Sequence, residues 1–280
     1  MPKIRGITYL LLLITASLLV LSCSLKRVHK IKNITYSPEY NLKLDIYVPR
    51  KIKEPKKILV FVYGGSWIHG RKSLYRFLGK GFARKGVITV VIDYRLGPRT
   101  DISGMANDVA TAMKWVKTNA TSFQGDANNI YISGHSAGGH LAAMVATDDS
   151  YFDNLHMKNP IKGVVLIDAF GLDMYSYFNK SNSVKDTAYR RVFGNDPEQW
   201  KKTSPIYHLK KDSPPFIQLV GGRTFYAVRK LNDMFYDQLK IYQPNTLFII
   251  IKRRRHIPMI FQFYNSRAKA YGHILNFIKP

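Results

Sequence analysis

One serine in this chain stands in a setting that favours nucleophilic chemistry. Residues 134–138 read Gly-His-Ser-Ala-Gly, and they lie between an apolar strand at 129–132 and a helix of small residues. A serine hydroxyl attacks poorly until a rigid turn holds it in the open beside a base, and flanking glycines permit such a turn. The same turn directs the N–H of Ala137 at an oxyanion formed on Ser136. The pattern therefore predicts Ser136 as a nucleophile.

The base that this chemistry needs is predicted at His256. This histidine follows the last predicted strand, 246–251, and precedes the final predicted helix. An imidazole is the side chain that most often takes up a proton from a hydroxyl near neutral pH. His135 and His140 flank the nucleophile, and there we expect packed or hydrogen-bonded side chains instead.

A pair of glycines supplies a third part of an acyl-transfer site. Gly64 and Gly65 follow a continuous apolar strand at 57–62. Without a Cβ they let the backbone approach a reacting carbonyl closely, and acyl transfer needs N–H donors for the negative charge that develops there. We therefore expect Gly64, Gly65 and Ala137 to form an oxyanion hole.

Strands and helices alternate along most of the chain, which is how one sheet brings such residues to one edge. Strands are predicted at 43–48, 57–62, 87–92, 129–132, 163–167, 216–220 and 246–251, and helices at 72–85, 102–118, 137–147, 227–239 and 262–278. Continuous apolar strands alternating with helices indicate a mainly parallel sheet buried on both faces. Residues from about 172 to 210 interrupt the alternation, which predicts a small insertion after the sixth strand.

Four stretches of the chain carry a family likeness. Residues 63–67 read Tyr-Gly-Gly-Ser-Trp and residues 93–96 read Asp-Tyr-Arg-Leu. The serine turn at 134–139 and the Ser-Pro segments at 204–205 and 213–214 complete the set. Together they resemble the α/β-hydrolase fold, and within it the esterase group of hormone-sensitive-lipase-like and kynurenine-formamidase-like carboxylesterases. The resemblance implies an eight-stranded, mainly parallel sheet with helices on both faces, and a triad of serine, histidine and acid.

The acid of that triad is where the chain departs from the group. After the seventh strand the group carries Gly-x-x-Asp, whereas residues 220–225 read Val-Gly-Gly-Arg-Thr-Phe and contain no carboxylate. An acid fixes the tautomer of the histidine and stabilises the imidazolium that forms. Asp168 is the best substitute, because some hydrolases of this fold take the acid from the preceding strand. Asp173 and Asp233 are the fallback acids, and a site without any acid also stays open.

Residues 1–22 predict a segment that brings the chain to a membrane. Two basic residues precede an uncharged apolar run at 7–21, which is short for a membrane span and fits a secretory signal. Cys23, the one cysteine of the chain, follows in a pattern that resembles a bacterial lipoprotein signal with Cys23 as the lipid attachment site. The alternative is an uncleaved anchor helix. Residues 23–34 are then expected to form a tether, and residues 35–280 a single hydrolase domain.

The charge of the chain is strongly positive, with 43 Lys and Arg against 18 Asp and Glu and a net charge of +25. Such a charge favours anionic surfaces such as phospholipid headgroups or lipopolysaccharide. The basic residues are spread along the chain without a nucleic-acid-binding motif, so we expect no nucleic-acid partner. We expect a lipid-anchored protein of the bacterial cell envelope, at the outer membrane or facing the periplasm. The sequence leaves the oligomeric state open.

These features together predict a serine carboxylic-ester hydrolase that acts on a small-molecule ester through an acyl-enzyme. The mechanism requires no metal and no organic cofactor. An amidase or arylformamidase would use the same residues, a non-catalytic envelope-binding protein would fit the missing acid, and a peptidase of this fold would need an extra domain. The aromatic residues of the insertion, Tyr175, Tyr177, Phe178 and Trp200, are expected to line an apolar acyl pocket.

Overall fold

Eight strands form one sheet in the computed structural model, which describes residues 28–180 and 187–278. The strands are β1 (His29–Ser37), β2 (Leu42–Val48), β3 (Lys56–Val62), β4 (Ile88–Ile92), β5 (Gly125–His135), β6 (Ile161–Ile167), β7 (Phe216–Gly221) and β8 (Leu247–Ile251). Their order across the sheet is β1-β2-β4-β3-β5-β6-β7-β8. Strand β2 runs antiparallel to β1 and β4, and every other pair is parallel. The predicted mainly parallel sheet is confirmed.

Ten α-helices lie in the described residues. They are α1 (Arg76–Ala83), α2 (Ile102–Asn119), α3 (Ala137–Thr147), α4 (Ser150–Asp153), α5 (Met174–Lys180), α6 (Thr187–Phe193), α7 (Pro197–Lys202), α8 (Tyr226–Tyr242), α9 (His256–Phe261) and α10 (Lys269–Ile278). The helix expected at 262–278 is shorter than predicted, because α10 begins only at Lys269. Before it come a separate short helix, α9, which begins at His256, and a 3₁₀ turn, Gln262–Tyr264. Helices α5 to α7 form the insertion between β6 and β7.

The central strands explain why the sheet forms as it does. Every residue of β4 is buried, as are the last five of β3 and all but one of β6. Strands buried on both faces read as continuous apolar runs, which is the pattern of parallel sheets covered by helices. Because β3, β5, β6, β7 and β8 are parallel, the loops that follow them meet at one edge of the sheet. The predicted nucleophile, base, oxyanion donors and first-choice acid lie in those loops or at their ends, whereas the fallback acid Asp233 lies inside α8.

The Asp-Tyr-Arg-Leu segment fastens the loop after β4 to its surroundings. Arg95 donates from Nε and Nη2 to the buried carboxylate of Asp108 on α2, at 2.8–3.1 Å. The hydroxyl of Tyr94 donates to the carbonyl of Tyr63 at 2.9 Å. This segment therefore supports Tyr63, where the loop of residues 63–67 begins. That loop contains Gly64 and Gly65 and is called the glycine loop below.

The expected tether at 23–34 is wrong over the part that the structure describes. Residues 29–34 belong to β1, which pairs with β2 from His29 opposite Val48 onwards. The lysines of this stretch are typical of a solvent-exposed segment. An edge strand can also carry them, because it needs only one buried face. The ammonium of Lys30 pairs with the buried Asp45 of β2 at 3.1 Å. Residues 23–27 lie outside the described part of the chain.

The predicted signal segment, 1–22, and the lipid attachment site, Cys23, also lie outside the described residues. Within 28–180 and 187–278, no helix combines the length and the apolar character needed to cross a membrane.

Asp45 provides a test of how β1 is held. Burial raises the pKa of this carboxyl, but the N–H of Asn33 and the ammonium groups of Lys30 and Lys72 more than offset that effect, so its pKa lies below the usual value. A lowered pKa in the folded state contributes stability above about pH 4, and that stability is lost as the pH falls through the folded-state pKa.

We expect Asp45→Asn to lower the free energy of unfolding by about 3 kcal/mol at pH 7, because Lys30 loses its carboxylate partner and Lys72 keeps only the more distant one, Asp93 at 3.7 Å. The deficit should shrink as the pH falls from about 4 through the lowered pKa of Asp45, because the carboxylate of the folded parent protein then becomes protonated. Urea unfolding at several pH values measures both effects. Asp212→Asn, at a largely exposed carboxylate, is the matched control and should change stability by less than about 0.5 kcal/mol. A deficit that is independent of pH would contradict the ion-pair account.

Candidate active site

Ser136 forms the turn between β5 and α3 by itself. Strand β5 ends at His135 and α3 begins at Ala137, so the chain reverses over one residue. The backbone of Ser136 has φ 53° and ψ −124°, a conformation that is strained for a residue with a Cβ. Its N–H donates to the carbonyl of Ile167 at 3.2 Å, which fixes the turn to the end of β6.

Two glycines make this turn possible by close approach. A Cβ on Gly134 would lie 2.1 Å from the carbonyl oxygen of Gly138. A Cβ on Gly138 would lie 2.2 Å from the carbonyl oxygen of Val62 and 2.4 Å from that of Tyr63. The start of α3 therefore packs directly on the backbone that leaves β3, and no other residue type fits at these two positions.

The structure brings the predicted serine, histidine and Asp168 into one hydrogen-bonded chain. Nε2 of His256 lies 2.9 Å from Oγ of Ser136, and Nδ1 lies 2.7 Å from Oδ2 of Asp168. All three side chains are buried, the aspartate completely. The imidazole lies between two rings, with His135 at 4.8 Å and the exposed Phe225 at 5.3 Å between ring centroids. These distances suit proton transfer from hydroxyl to imidazole.

Asp168 holds its place through contacts that the sequence did not reveal. It directly follows β6, with φ 48°, and its Oδ1 accepts the N–H of Gly221 at 2.7 Å. Thr224 donates its hydroxyl to Oδ2, beside the histidine. Residues 221–224, which lack the acid of the esterase group, thus supply two hydrogen bonds to an acid from the neighbouring strand.

Neither fallback acid forms a hydrogen bond with His256. Asp173 is buried, and its Oδ1 accepts the N–H of Ser176 at 2.9 Å and the hydroxyl of Tyr207 at 3.3 Å. Asp233 pairs with Arg229 one turn away on α8, at 2.8 Å. The first carboxylate orders the insertion and the second lies on a partly exposed helix face, so the geometry favours Asp168 alone.

The glycine loop lies against the nucleophile. A Cβ on Gly64 would lie 3.0 Å from the Cβ of Ser136, and Gly65 has φ 142°, which only glycine adopts with ease. Gly64, Gly65 and Ala137 remain the predicted oxyanion donors, and Gly64 also allows the loop to approach Ser136 closely.

Tyr63 braces this loop in place of the histidine of the esterase group. Its ring stacks on those of Tyr94 and Tyr75, with centroids 4.6 and 5.8 Å away. Burial raises the pKa of Tyr63 far above its usual value, so the phenol is neutral. Three packed aromatic rings thus do the bracing that the group assigns to an imidazole.

The two histidines beside the nucleophile are structural, as predicted. His135 donates from Nε2 to the carbonyl of His256 at 3.1 Å, and burial together with the neighbouring imidazole lowers its pKa to about 3. His140 accepts the indole N–H of Trp67 on Nδ1 at 3.3 Å and donates from Nε2 to the carbonyl of Thr203 at 2.7 Å. Burial lowers the pKa of His140 to about 4. His140 thereby joins the glycine loop, α3 and the insertion.

The aromatic residues of the insertion are arranged differently from the expectation. Phe178 and Trp200 are buried against each other, with ring centroids 4.7 Å apart, so they form the interior of the insertion and do not line a pocket. Tyr175 packs on Tyr207. Only Tyr177 of the predicted set reaches the site, where it packs on Phe170; the N–H of Phe170 donates to the carbonyl of Ser136.

The described residues contain no cluster of three or more His, Cys, Asp and Glu side chains suited to hold a metal ion. That the reaction requires no metal or organic cofactor stays a prediction. The arrangement joins a hydroxyl, an imidazole and a buried carboxylate in one hydrogen-bonded chain, with the glycine loop and the start of α3 beside the hydroxyl. This is the set that acyl transfer requires.

Comparison with known proteins gives a family match. The family model described as BD-FAE matches residues 44–224, a stretch that contains Ser136 and Asp168 and ends before His256. The chain is also 27% identical to the probable isoprenylcysteine alpha-carbonyl methylesterase ICMEL2 of Arabidopsis thaliana, over 88% of this chain and 62% of the plant protein. It is 29% identical to the kynurenine formamidase of Salmo salar, over 74% of this chain and 68% of that one. The chain thus spans about three fifths of the plant relative.

Solved structures confirm the fold. A truncated carbohydrate esterase from gut microbiota superposes with a TM-score of 0.77 at 22% identity, over 89% of this chain and 96% of that one. Likeness at this level of identity concerns the fold alone. The predicted α/β-hydrolase fold is thereby confirmed.

The tight turn at Ser136 yields a stability prediction. We expect Gly138→Ala to lower the free energy of unfolding by about 3 kcal/mol or more, because its methyl group would meet two backbone carbonyls that cannot move aside cheaply. Urea unfolding measures the loss. Gly272→Ala is the matched control, since a Cβ on Gly272 in α10 meets nothing within 4 Å. It should stabilise the protein by up to about 1 kcal/mol, as alanine favours a helix over glycine. Equal effects at both sites would contradict the packing described here.

Proposed function

We propose that this protein, which belongs to the BD-FAE family, is a serine hydrolase of small carboxylic esters. The observation that carries the proposal is the chain of hydrogen bonds from Oγ of Ser136 through His256 to Asp168. Relatives named as esterases support the reaction class. The chain is shorter than those relatives, so their own substrates are not assigned to it.

The proposed mechanism assigns one step to each residue. His256 takes the proton of Ser136 on Nε2 while Oγ attacks the acyl carbon. The carboxylate of Asp168 keeps the proton of His256 on Nδ1 and stabilises the imidazolium. Backbone N–H groups at Gly64, Gly65 and Ala137 receive the charge on the carbonyl oxygen. The imidazolium then protonates the leaving alcohol, and water activated by the same imidazole releases the acid.

The proposed location is the bacterial cell envelope, with the chain held by a lipid on Cys23. The apolar run at 7–21, with basic residues before it and the single cysteine shortly after it, supports this proposal. A hydrolase there would meet small esters of the envelope or its surroundings.

An arylformamidase is the second candidate function. The likeness to the kynurenine formamidase of Salmo salar supports it, and the proposed residues would act on an amide as they act on an ester. A formanilide offered beside a phenyl ester discriminates the two, because only the amide needs a protonated amine as leaving group.

Hydrolysis of p-nitrophenyl esters of increasing acyl length tests the proposal directly. The full chain should release p-nitrophenol, and Ser136→Ala should reduce the rate by about a thousandfold or more, because no nucleophile remains. A fluorophosphonate probe should label the parent chain and leave Ser136→Ala unlabelled. A folded parent protein that neither turns over esters nor reacts with the probe would instead be a binding protein on a degenerate hydrolase fold.

Replacing the acid provides an independent prediction. We expect Asp168→Asn to lower kcat by about a thousandfold or more, because an amide no longer holds the imidazole in the required tautomer. Asp233→Asn, at the ion-paired fallback acid, is the control and should stay within about threefold of the parent rate. An effect of Asp168→Asn below about threefold would remove that residue from the triad.

A further inference from the structure

A large groove lies on the flank of the protein, apart from the triad. Its volume is about 1030 Å³, and α1, the segment after β2 and the turn before α10 line it. None of the triad residues takes part. Val28, the first described residue, lies at its margin.

Basic residues dominate the lining of the groove. Six basic residues line it, Arg50, Lys51, Arg76, Lys80, Arg84 and Lys85, and all six are exposed, whereas no Asp or Glu is among the lining residues. Arg76, Lys80 and Arg84 follow one another at intervals of four, so they lie on one side of α1 and its end. Lys51, Arg76, Lys80, Arg84 and Lys85 form no ion pair with a carboxylate of the described residues.

A second groove has a different charge pattern. That groove, of about 600 Å³, also carries lysines, but Asp149, Asp153 and Asp212 lie among them. Lys210 there pairs with Asp149. Carboxylates therefore line the second groove, whereas no Asp or Glu lines the first.

Exposed apolar side chains border the basic groove. Leu74 is 53% exposed, Phe261 52% and Tyr264 67%, and the rings of Phe77 and Tyr264 stack with centroids 3.9 Å apart. Phe261 packs beside both rings. Aromatic and leucine side chains next to a row of Lys and Arg are typical of surfaces that rest on a lipid interface.

We propose that this basic groove, with Leu74, Phe77, Phe261 and Tyr264 at its rim, docks on an anionic phospholipid surface. The cations contact headgroup phosphates, and the apolar rim enters the boundary between headgroups and acyl chains. The choice of a membrane rests partly on the proposed lipid on Cys23, and the proposal does not depend on the esterase reaction.

The position of the groove in the chain favours a membrane over other polyanions. An extended chain spans at most about 3.6 Å per residue, so a lipid on Cys23 would lie within about 18 Å of Val28 at the groove margin. One acyl anchor holds a protein to a membrane only marginally, and a basic patch beside it supplies the second signal that stable attachment needs. Two membrane contacts would therefore act close together.

A single fluorescent label tests the proposal. Cys23 is the one cysteine of the chain, so Cys23→Ser combined with Ser266→Cys places a polarity-sensitive dye on an exposed residue of the groove. The labelled full chain is mixed with vesicles of phosphatidylcholine, with and without phosphatidylglycerol. We expect fluorescence to rise on the anionic vesicles beyond its level on the neutral ones. The excess should fall as NaCl goes from about 0.1 M to about 1 M, which shortens the Debye length from about 10 Å to about 3 Å.

Two charge variants of equal size locate the contact. Four substitutions in the groove, Arg76→Gln, Lys80→Gln, Arg84→Gln and Lys85→Gln, should raise the lipid concentration for half-maximal signal by about a hundredfold or more, as each basic residue contributes about fivefold. The control replaces four exposed lysines elsewhere, Lys158, Lys162, Lys202 and Lys211, with Gln. It should stay within about tenfold of the parent, and circular dichroism verifies the folding of both variants.

Four outcomes would overturn the proposal. The first is an equal signal on neutral and anionic vesicles. The second is an equal loss of binding in the two charge variants, because such a loss would reflect net charge alone. Inorganic phosphate that abolishes the signal, where NaCl of the same ionic strength does not, would indicate a small-anion site. A rise produced by a single-stranded oligonucleotide at lower concentration than by vesicles, and lost in the groove variant, would make nucleic acid the ligand.

Discussion

The close approach of three backbone segments at Ser136 is the constraint on which the rest of the site depends. The start of α3 packs on the carbonyls that end β3, and the glycine loop packs on the Cβ of the serine. Only Gly64, Gly134 and Gly138 allow these distances, and Ser136 itself has a strained backbone as a result. Ser136, the glycine loop and the central strands are thereby fixed as one unit, which is what the proposed preorganised catalysis requires.

Much of this arrangement could be predicted because its signals are local. The continuous apolar runs of β3, β4 and β6 and the small-residue helix α3 are patterns read within ten residues. Ser136 and His256 could be placed because each stands at the end of a predicted strand, and parallel strands deliver their ends to one edge. Asp168 could be preferred on the same ground, since it ends β6.

What the sequence could not show are contacts between distant residues. The sequence of β1 resembles a polar, irregular segment. It forms a strand because β2 pairs with it and Asp45 on β2 forms an ion pair with Lys30. The hydrogen bonds that Gly221 and Thr224 give to Asp168 join residues more than fifty positions apart. The packing of Phe178 on Trp200 likewise depends on how the segments fold together, and no local pattern encodes it.

Burial lowers the pKa of two of the three imidazoles around Ser136, so these two rings do not titrate near neutral pH. Because the pKa values of His135 and His140 lie near 3 and 4, both rings are neutral wherever the protein is folded near neutral pH. Each then keeps one tautomer, fixed by the carbonyl to which its Nε2–H donates. The two hydrogen bonds from Trp67 to His140 and from His140 to Thr203 therefore keep one direction of donation, and mild acid does not change it. These two neutral rings act as oriented dipoles beside the site, and they add no net charge to it.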